Sequence, residues 1–366
     1  GGQLMVNGLP IVIPDNTLVT LPASTAFWSE FFIMPVPILN IKPYNQQVQG
    51  NRVGDRYIAG LVYFQQVPLQ NLAGFITKIN SATGHFWIAG QFSTGANAGF
   101  GGMECVLNDP TGVYGPAYTA NPLWGVDPVN PCIRSTTGFP MCIPRSATDN
   151  RCPKKNRPIP DSRAMAPLVV GDYVTFSGQQ NGPLFEVTNL VANAGFYTAP
   201  NSKPAYIAVE GVNVGINSPS GNVEVAEARG TIFTTDPTTP VQWSFVDVNF
   251  CTGAETERNV VIGTPQRAGQ IGRIVYRMGK TVVAPPTRNV RFRYTNGVSA
   301  TPFPLLPGMV PGEYTQPIYD FIMPELTAFG LNEEPLPFER FPFLAQGEGP
   351  LELGNPLSPP LDPSPR

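Results

Sequence analysis

The sequence predicts an all-β protein of consecutive small OB-like (Greek-key) barrels that ends in an extended proline-rich arm. Three observations lead there. First, the 366 residues include 42 prolines and 37 glycines, together more than a fifth of the chain. Pro destabilises a helix interior by roughly 3 kcal/mol and Gly by about 1, and no window longer than about ten residues combines helical apolar spacing with freedom from both. Second, 42% of the residues are hydrophobic, with 22 Phe and 12 Tyr among them. That is enough apolar surface to offset the ordering entropy that leaves other Pro/Gly-rich chains disordered. Third, the same strand-bearing patterns recur along the chain.

The length exceeds what one hydrophobic core usually serves, so two to three domains are expected. Residues 1–72 contain the apolar run Leu4–Pro14, the run Thr17–Leu21 and a strand opening at Gly54-Asp55. They lack an opening Gly-x-Ile-x-x-Ile strand and read as an incomplete barrel. Residues 73–224 open with a β-hairpin, Ala73–Gly90, in which two β-branched and aromatic runs flank Ser81-Ala-Thr-Gly84. This domain carries a Cys-rich loop at 105–158, then the Gly171-Asp172 turn feeding a strand to Gly178, and a closing strand at Tyr206–Val214. In each Gly-Asp turn, Gly supplies positive φ and Asp bonds the local backbone.

Residues 225–300 repeat the order Gly, strand, turn and Trp-bearing strand over Arg229–Val248. They end in the alternating strand Asn289–Thr295, where Arg291 and Arg293 face away from Val290, Phe292 and Tyr294. From residue 301 to 366 the proline density forbids helices and sheet interiors. An unattached tail has no use for Phe338, Phe341, Phe343, Leu344 and Leu351, so this arm is expected to lie along a groove of its own domains or of a neighbouring molecule.

Five cysteines stand at 105, 132, 142, 152 and 251. Their spacings do not match the paired C-x2-C knuckles of zinc sites, and disulfides formed in an oxidising compartment fit better. The expected bridges are Cys142 with Cys152 and, second, Cys105 with Cys132. Cys251 is then left as a buried thiol or an intermolecular partner. The chain opens Gly1-Gly2-Gln3 without an initiator Met or an apolar leader, which reads as a processed chain or an expression scar. No Asn-x-Ser/Thr acceptor occurs.

The Cys loop holds the most specific phrases: Asn108-Asp-Pro-x-Gly112, Gly138-Phe-Pro-Met-Cys-Ile-Pro-Arg145 and Cys152-Pro-x-x-Asn156-Arg-Pro158. Over roughly residues 70–300 they make the chain resemble secreted proteins of filamentous fungi with OB-like β-barrel domains. Cys105 and Cys132 depart from that pattern. The resemblance implies an extracellular β-domain protein and carries no activity.

Several function classes are disfavoured. A net charge of −3 is spread without a basic stripe, against nucleic-acid binding by phosphate neutralisation. No run of about eighteen apolar residues suggests a membrane span. The single histidine, His85, sits at the hairpin turn, where a Ser-His-Asp or Cys-His system would have to use it. No phosphate loop, G-x-S-x-G elbow or H-E-x-x-H motif appears, and no cofactor, metal or catalytic residue is assigned. Asp55, Glu104, Asp109, Asp172, Glu210 and Asp247 remain as carboxylates from which a glycosidase pair could be drawn.

The expected role is an extracellular structural protein that associates with copies of itself, into filaments or matrix, by arm or strand exchange. The alternatives are a carbohydrate or cell-wall binding module that stacks sugars on Trp28, Trp87 or Trp124, and a carboxylate-only hydrolase.

Overall fold

A computed structural model of the chain describes residues 2–13, 17–22, 25–28, 44–53, 56–66, 69–90, 101–119, 124–200, 204–214, 228–248, 254–267, 269–278, 287–296, 308–317, 350–352 and 355–356. The fold is almost entirely β, with a closed five-stranded barrel at its centre.

In the first unit, β1 (Gly2–Val6) and β2 (Leu9–Ile13) form a hairpin around Asn7-Gly8. Both turn residues have positive φ, 50° and 81°, as a tight hairpin whose twist matches its strands requires. A second hairpin joins β3 (Leu18–Thr20) to β4 (Thr25–Phe27). The long β6 (Arg56–Gln66) receives β2 and then β3 in parallel along one edge, and β5 (Tyr44–Val53) antiparallel along the other. The core beneath holds Ile13, Val19, Trp28, Ala59, Val62 and Phe64, together with Trp124 from the Cys loop of the next unit.

The central unit contains β7 (Leu69–Asn80), β8 (His85–Ala89), β9 (Met103–Leu107), β13 (Tyr173–Asn181) and β14 (Leu184–Ala192). Pairing runs β7-β8-β9-β14-β13 and back to β7, and every pair is antiparallel except β9 with β14. That circuit is the OB-like Greek-key barrel. Two register shifts, between Ile76 and Lys78 and between Ser177 and Gly178, supply the bends that closure needs. At the second, only glycine fits: a Cβ on Gly178 would stand 2.0 Å from the Glu186 carbonyl oxygen. Between β9 and β13 the chain forms the Cys loop, with β10 (Ile133–Ser135) parallel to β14, and β11 (Met141–Cys142) parallel to β12 (Ala166–Pro167).

The third unit has two sheets facing one core. One is β15 (Ile207–Val214), β16 (Ala228–Thr234) and β21 (Arg273–Met278). The other is β18 (Glu255–Gly263), β17 (Val241–Val248), β22 (Thr287–Tyr294) and β23 (Glu313–Pro317), paired in that order. Ile207, Ile232, Trp243, Phe245, Val290 and Phe292 fill the space between them. Short pairs β19 (Gln266–Arg267) with β20 (Gln270–Ile271), and β24 (Pro350–Glu352) with β25 (Asn355–Pro356), complete the elements.

Several sequence expectations are corrected. Cys142 and Cys152 are bridged, but Cys105 and Cys132 are separate buried thiols. Cys105 points from β9 into the barrel core, while the Cys132 sulfur accepts the Asp127 N–H at 3.2 Å. The first boundary, at 72, falls inside β7, which already pairs with β13 at Leu69. The strand at 207–214, expected to close the central domain, pairs with β16 in the third unit. Arg229–Val248 is not a second hairpin, because β16 and β17 lie in opposite sheets. Gly230 shows why: a Cβ there would meet the Trp243 and Phe292 rings at 3.2 Å, so these strands stack face to face instead of edge to edge. The arm is not wholly outside the domains, since β23 joins β22 as an edge strand ending at Pro317. Phe338, Phe341, Phe343, Leu344 and Cys251 lie outside the described residues, and Leu351 falls in β24.

Candidate ligand-binding face of the central barrel

The carboxylates singled out from sequence divide into scaffold and surface. Asp109 is buried and accepts the backbone N–H groups of Val113, Tyr114 and Gly115 at 2.9, 2.7 and 3.1 Å. Burial pushes its carboxyl above the usual range against the pull of those three donors and of Arg145. Arg145 donates to the Gly112 and Val113 carbonyls at 2.6 and 2.7 Å and to Asp149 at 2.7 Å. The Asn108-Asp-Pro phrase and the Met-Cys-Ile-Pro-Arg phrase are thus two halves of one hydrogen-bonded turn.

Asn156 serves the third phrase in the same way, donating to the carbonyls of Asp161, Ala164 and Met165 and accepting from Asp161 N–H. Arg157 grips Asp172 through both terminal guanidinium nitrogens, at 2.8 and 3.0 Å, and Asp172 also accepts Val169 N–H. Glu210 pairs with Arg273 at 2.7 Å. Asp55 is outside the described residues, and Asp247 contributes its backbone to β17. Asp109 and Asp172 are therefore structural, because their oxygens are occupied by the groups that fix the Cys loop.

Glu104 is different. On β8, Phe86 and Ile88 point into the core, which turns His85 and Trp87 outward. Trp87 is cross-strand partner to Lys78 on β7 and to Glu104 on β9. The Lys78 ammonium stands 4.3 Å from the centroid of the Trp87 ring, within cation–π range. Glu104 Oε1 lies 2.8 Å from His85 Nδ1, and the two side chains remain 39% and 28% exposed. These four residues form one outward patch across three adjacent strands. Its charge reaches the interior, since the buried Cys105 thiol is pushed up to about 12, by burial first and by the Glu104 carboxylate second.

The Cys loop walls one end of this patch: Pro116 lies so close to the 81–84 turn that a Cβ on Gly84 would meet its ring at 3.2 Å. Farther round the barrel, the loop's Tyr118 donates to Glu186 on β14, which also accepts from Gln179 and Asn181. Sequence reading missed Glu186, which sits in a strand buried on both faces from Phe185 to Thr188 and has no local signal. It is buried and held by three donors, whereas Glu104 is 39% exposed.

Of the tryptophans considered as sugar platforms, Trp28 and Trp124 are in the first unit's core, at 3% and 1% exposure, whereas Trp87 is partly exposed. Among the described residues no group of three His, Cys, Asp or Glu side chains gathers into a metal site, and no helix is long and apolar enough to cross a membrane. Comparison with family models, curated proteins and solved structures finds no match to this chain.

Proposed function

We propose that this chain is an extracellular oligosaccharide-binding β-protein whose ligand lies across β7, β8 and β9. The observation that carries the reading is the outward Trp87, set in register between Lys78 and Glu104 on the second-strand and third-strand face of an OB-like barrel. Barrels of this topology use that face and its adjoining loops for oligonucleotides and oligosaccharides. The fold supplies the face by analogy, and the side chains select the ligand. One lysine opposed by one glutamate offers no row of cations for phosphates, whereas an aromatic ring flanked by hydrogen-bonding groups suits a pyranose. The engagement of Asp109, Asp172 and Glu210 in scaffold or surface pairs favours a binding protein over an enzyme. The disulfide favours an oxidising compartment.

The test is depletion of the non-reduced protein from solution by insoluble polysaccharides, beside a Trp87→Ala variant with an unchanged circular dichroism spectrum. Retention of the parent and release of the variant is the expected result. Equal behaviour of the two, bound or unbound, ends this reading.

Self-association is a second reading. It rests on β21, whose only described partner is β16 and which carries Val275 at 44% exposure; Ile271 and Tyr197 of the same unit are also exposed, at 64% and 40%. The Tyr197 hydroxyl donates to the Ile271 carbonyl at 3.2 Å. An open edge of this kind invites pairing with another chain. Light scattering and negative-stain microscopy on the full chain, a form ending at Pro317 and a Val275→Lys variant test it. Oligomers lost in either altered form support edge or arm contacts, and monomers throughout exclude them.

A further inference from the structure

We propose that the sugar taken by the Trp87 face is a cationic one, a chain of unacetylated amino-hexose units whose ammonium groups replace that of Lys78. The inference rests on the oligosaccharide reading above and specifies its ligand. Three observations carry it. The Trp87 ring already holds an ammonium group, with Lys78 Nζ at 4.3 Å. That cation belongs to an exposed and flexible side chain, so it can leave the ring when a better-placed group arrives. Directly across the strand pair from Trp87 stands Glu104, a carboxylate 39% exposed whose neighbour His85 carries charge only when protonated.

A pyranose seated on the indole displaces Lys78, and what replaces the lost cation–π contact decides which sugar is preferred. A neutral hexose brings apolar C–H groups but no charge. A uronic acid brings a carboxylate toward Glu104, and like charges repel. An amino sugar stacks its C–H face on the ring, restores a cation near it, and offers Glu104 a charge-assisted hydrogen bond. The chain's net charge of −3 adds a weak general attraction for a polycation. Specific recognition must therefore be separated from charge alone.

The experiment uses the full, non-reduced chain at about 0.15 M salt, where surface charges farther apart than about 8 Å are largely screened, in buffer that keeps the sugar amines protonated. Isothermal titration compares a glucosamine hexamer, an N-acetylglucosamine hexamer, a glucose hexamer with β-1,4 links, and hexalysine. The glucosamine hexamer is expected to bind about tenfold more tightly than the other three, the size of one well-placed ion contact. Glu104→Gln is expected to remove that preference, so that this variant binds the glucosamine hexamer no more tightly than it binds the neutral hexamers. Lys78→Ala is expected to bind the glucosamine hexamer at least as well as the parent. Unchanged thermal unfolding establishes that both variants are folded.

Equal binding of neutral and amino hexamers, or a Glu104→Gln variant that keeps the preference, overturns this inference and leaves oligosaccharide binding standing. Hexalysine bound as tightly as the glucosamine hexamer also overturns it, because the surface then reads charge and not sugar. No binding of any hexamer removes the oligosaccharide reading, and this inference with it.

Discussion

At the scale of single residues, the Cys loop is held by side chains that substitute for the regular backbone pairing it lacks. Asp109→Ala would leave three N–H groups buried without acceptors, and each orphaned donor costs about 1–3 kcal/mol. The expected loss is roughly 3–5 kcal/mol in urea unfolding, and Asp109→Asn, which retains one acceptor, should lose less. A result within error of the parent would mean that the turn forms without its carboxylate. Buried acids govern the alkaline limit of stability in the same residue-by-residue way. Burial lifts the Cys105 thiol from its ordinary 9.0 up to about 12, and it raises Cys132, Tyr114, Tyr206 and Tyr294 as well. Because the folded chain holds these protons more tightly than the unfolded one, their contribution is complete below the unfolded values and is lost as pH climbs through the folded ones. Stability should therefore fall steadily above about pH 9. In a Cys251→Ser background a thiol reagent should label neither Cys105 nor Cys132 until denaturant is added, and rapid labelling of the native protein would contradict their burial.

At the scale of elements, glycine placement decides which strands can pair. A Cβ on Gly74 would stand 2.7 Å from both the Ala89 carbonyl oxygen and an Ile88 methyl group, so Gly74→Ala must push apart the β7–β8 pair at its bend. A loss of about 2–4 kcal/mol is expected, and its absence would show that the barrel seam yields. These local features were legible in the sequence. The 73–90 hairpin is β7 and β8, the Gly171-Asp172 turn behaves as its residues require, with φ of 97° at Gly171 and the Asp172 carboxylate on Val169 N–H, and Val290, Phe292 and Tyr294 are buried while Arg291 and Arg293 face Glu257. Hairpins and alternation are written in neighbouring residues. Long-range pairing is not: β2 and β3 meeting β6, β15 joining β16, and β16 separating from β17 depend on contacts with no sequence periodicity. The candidate face was half legible. His85, Trp87 and Glu104 could be named, but that they share one outward patch with Lys78 follows only from the register of three strands.

At the scale of the whole molecule, the units are joined by side chains that cross from one core to the next. Trp124 leaves the Cys loop to fill the first unit's core. Tyr206 packs in the barrel core while Ala205 and Ile207 on either side belong to the third unit, and its hydroxyl reaches the Ser162 carbonyl. Truncating Trp124 to Ala should cost about 3–5 kcal/mol, as for other large buried aromatics, and should loosen the first unit to protease before the barrel. The third joint is Asn130, whose side-chain amide imitates a strand neighbour: it donates to the Thr315 carbonyl and accepts the Thr315 N–H, each at 3.1 Å. It fastens β23 to the Cys loop while β22 holds it by backbone pairing. Ending the chain at Ala300 therefore uncovers the β22 edge and takes the Thr315 partners from both ends of the Asn130 amide, whose nitrogen keeps its bond to Asp127, whereas ending it at Pro317 keeps both Thr315 contacts. The shorter form should melt lower than the longer by about 3 °C, the shift expected for a loss near 2 kcal/mol in a chain of about 300 residues. Asn130→Ala in the longer form should reproduce part of that loss, because it removes the same two hydrogen bonds to Thr315, and the one to Asp127, without removing the strand. Identical melting of the two truncated forms would make β23 a passenger on the sheet, and the arm would then begin, in energetic terms, where the proline-rich sequence first suggested.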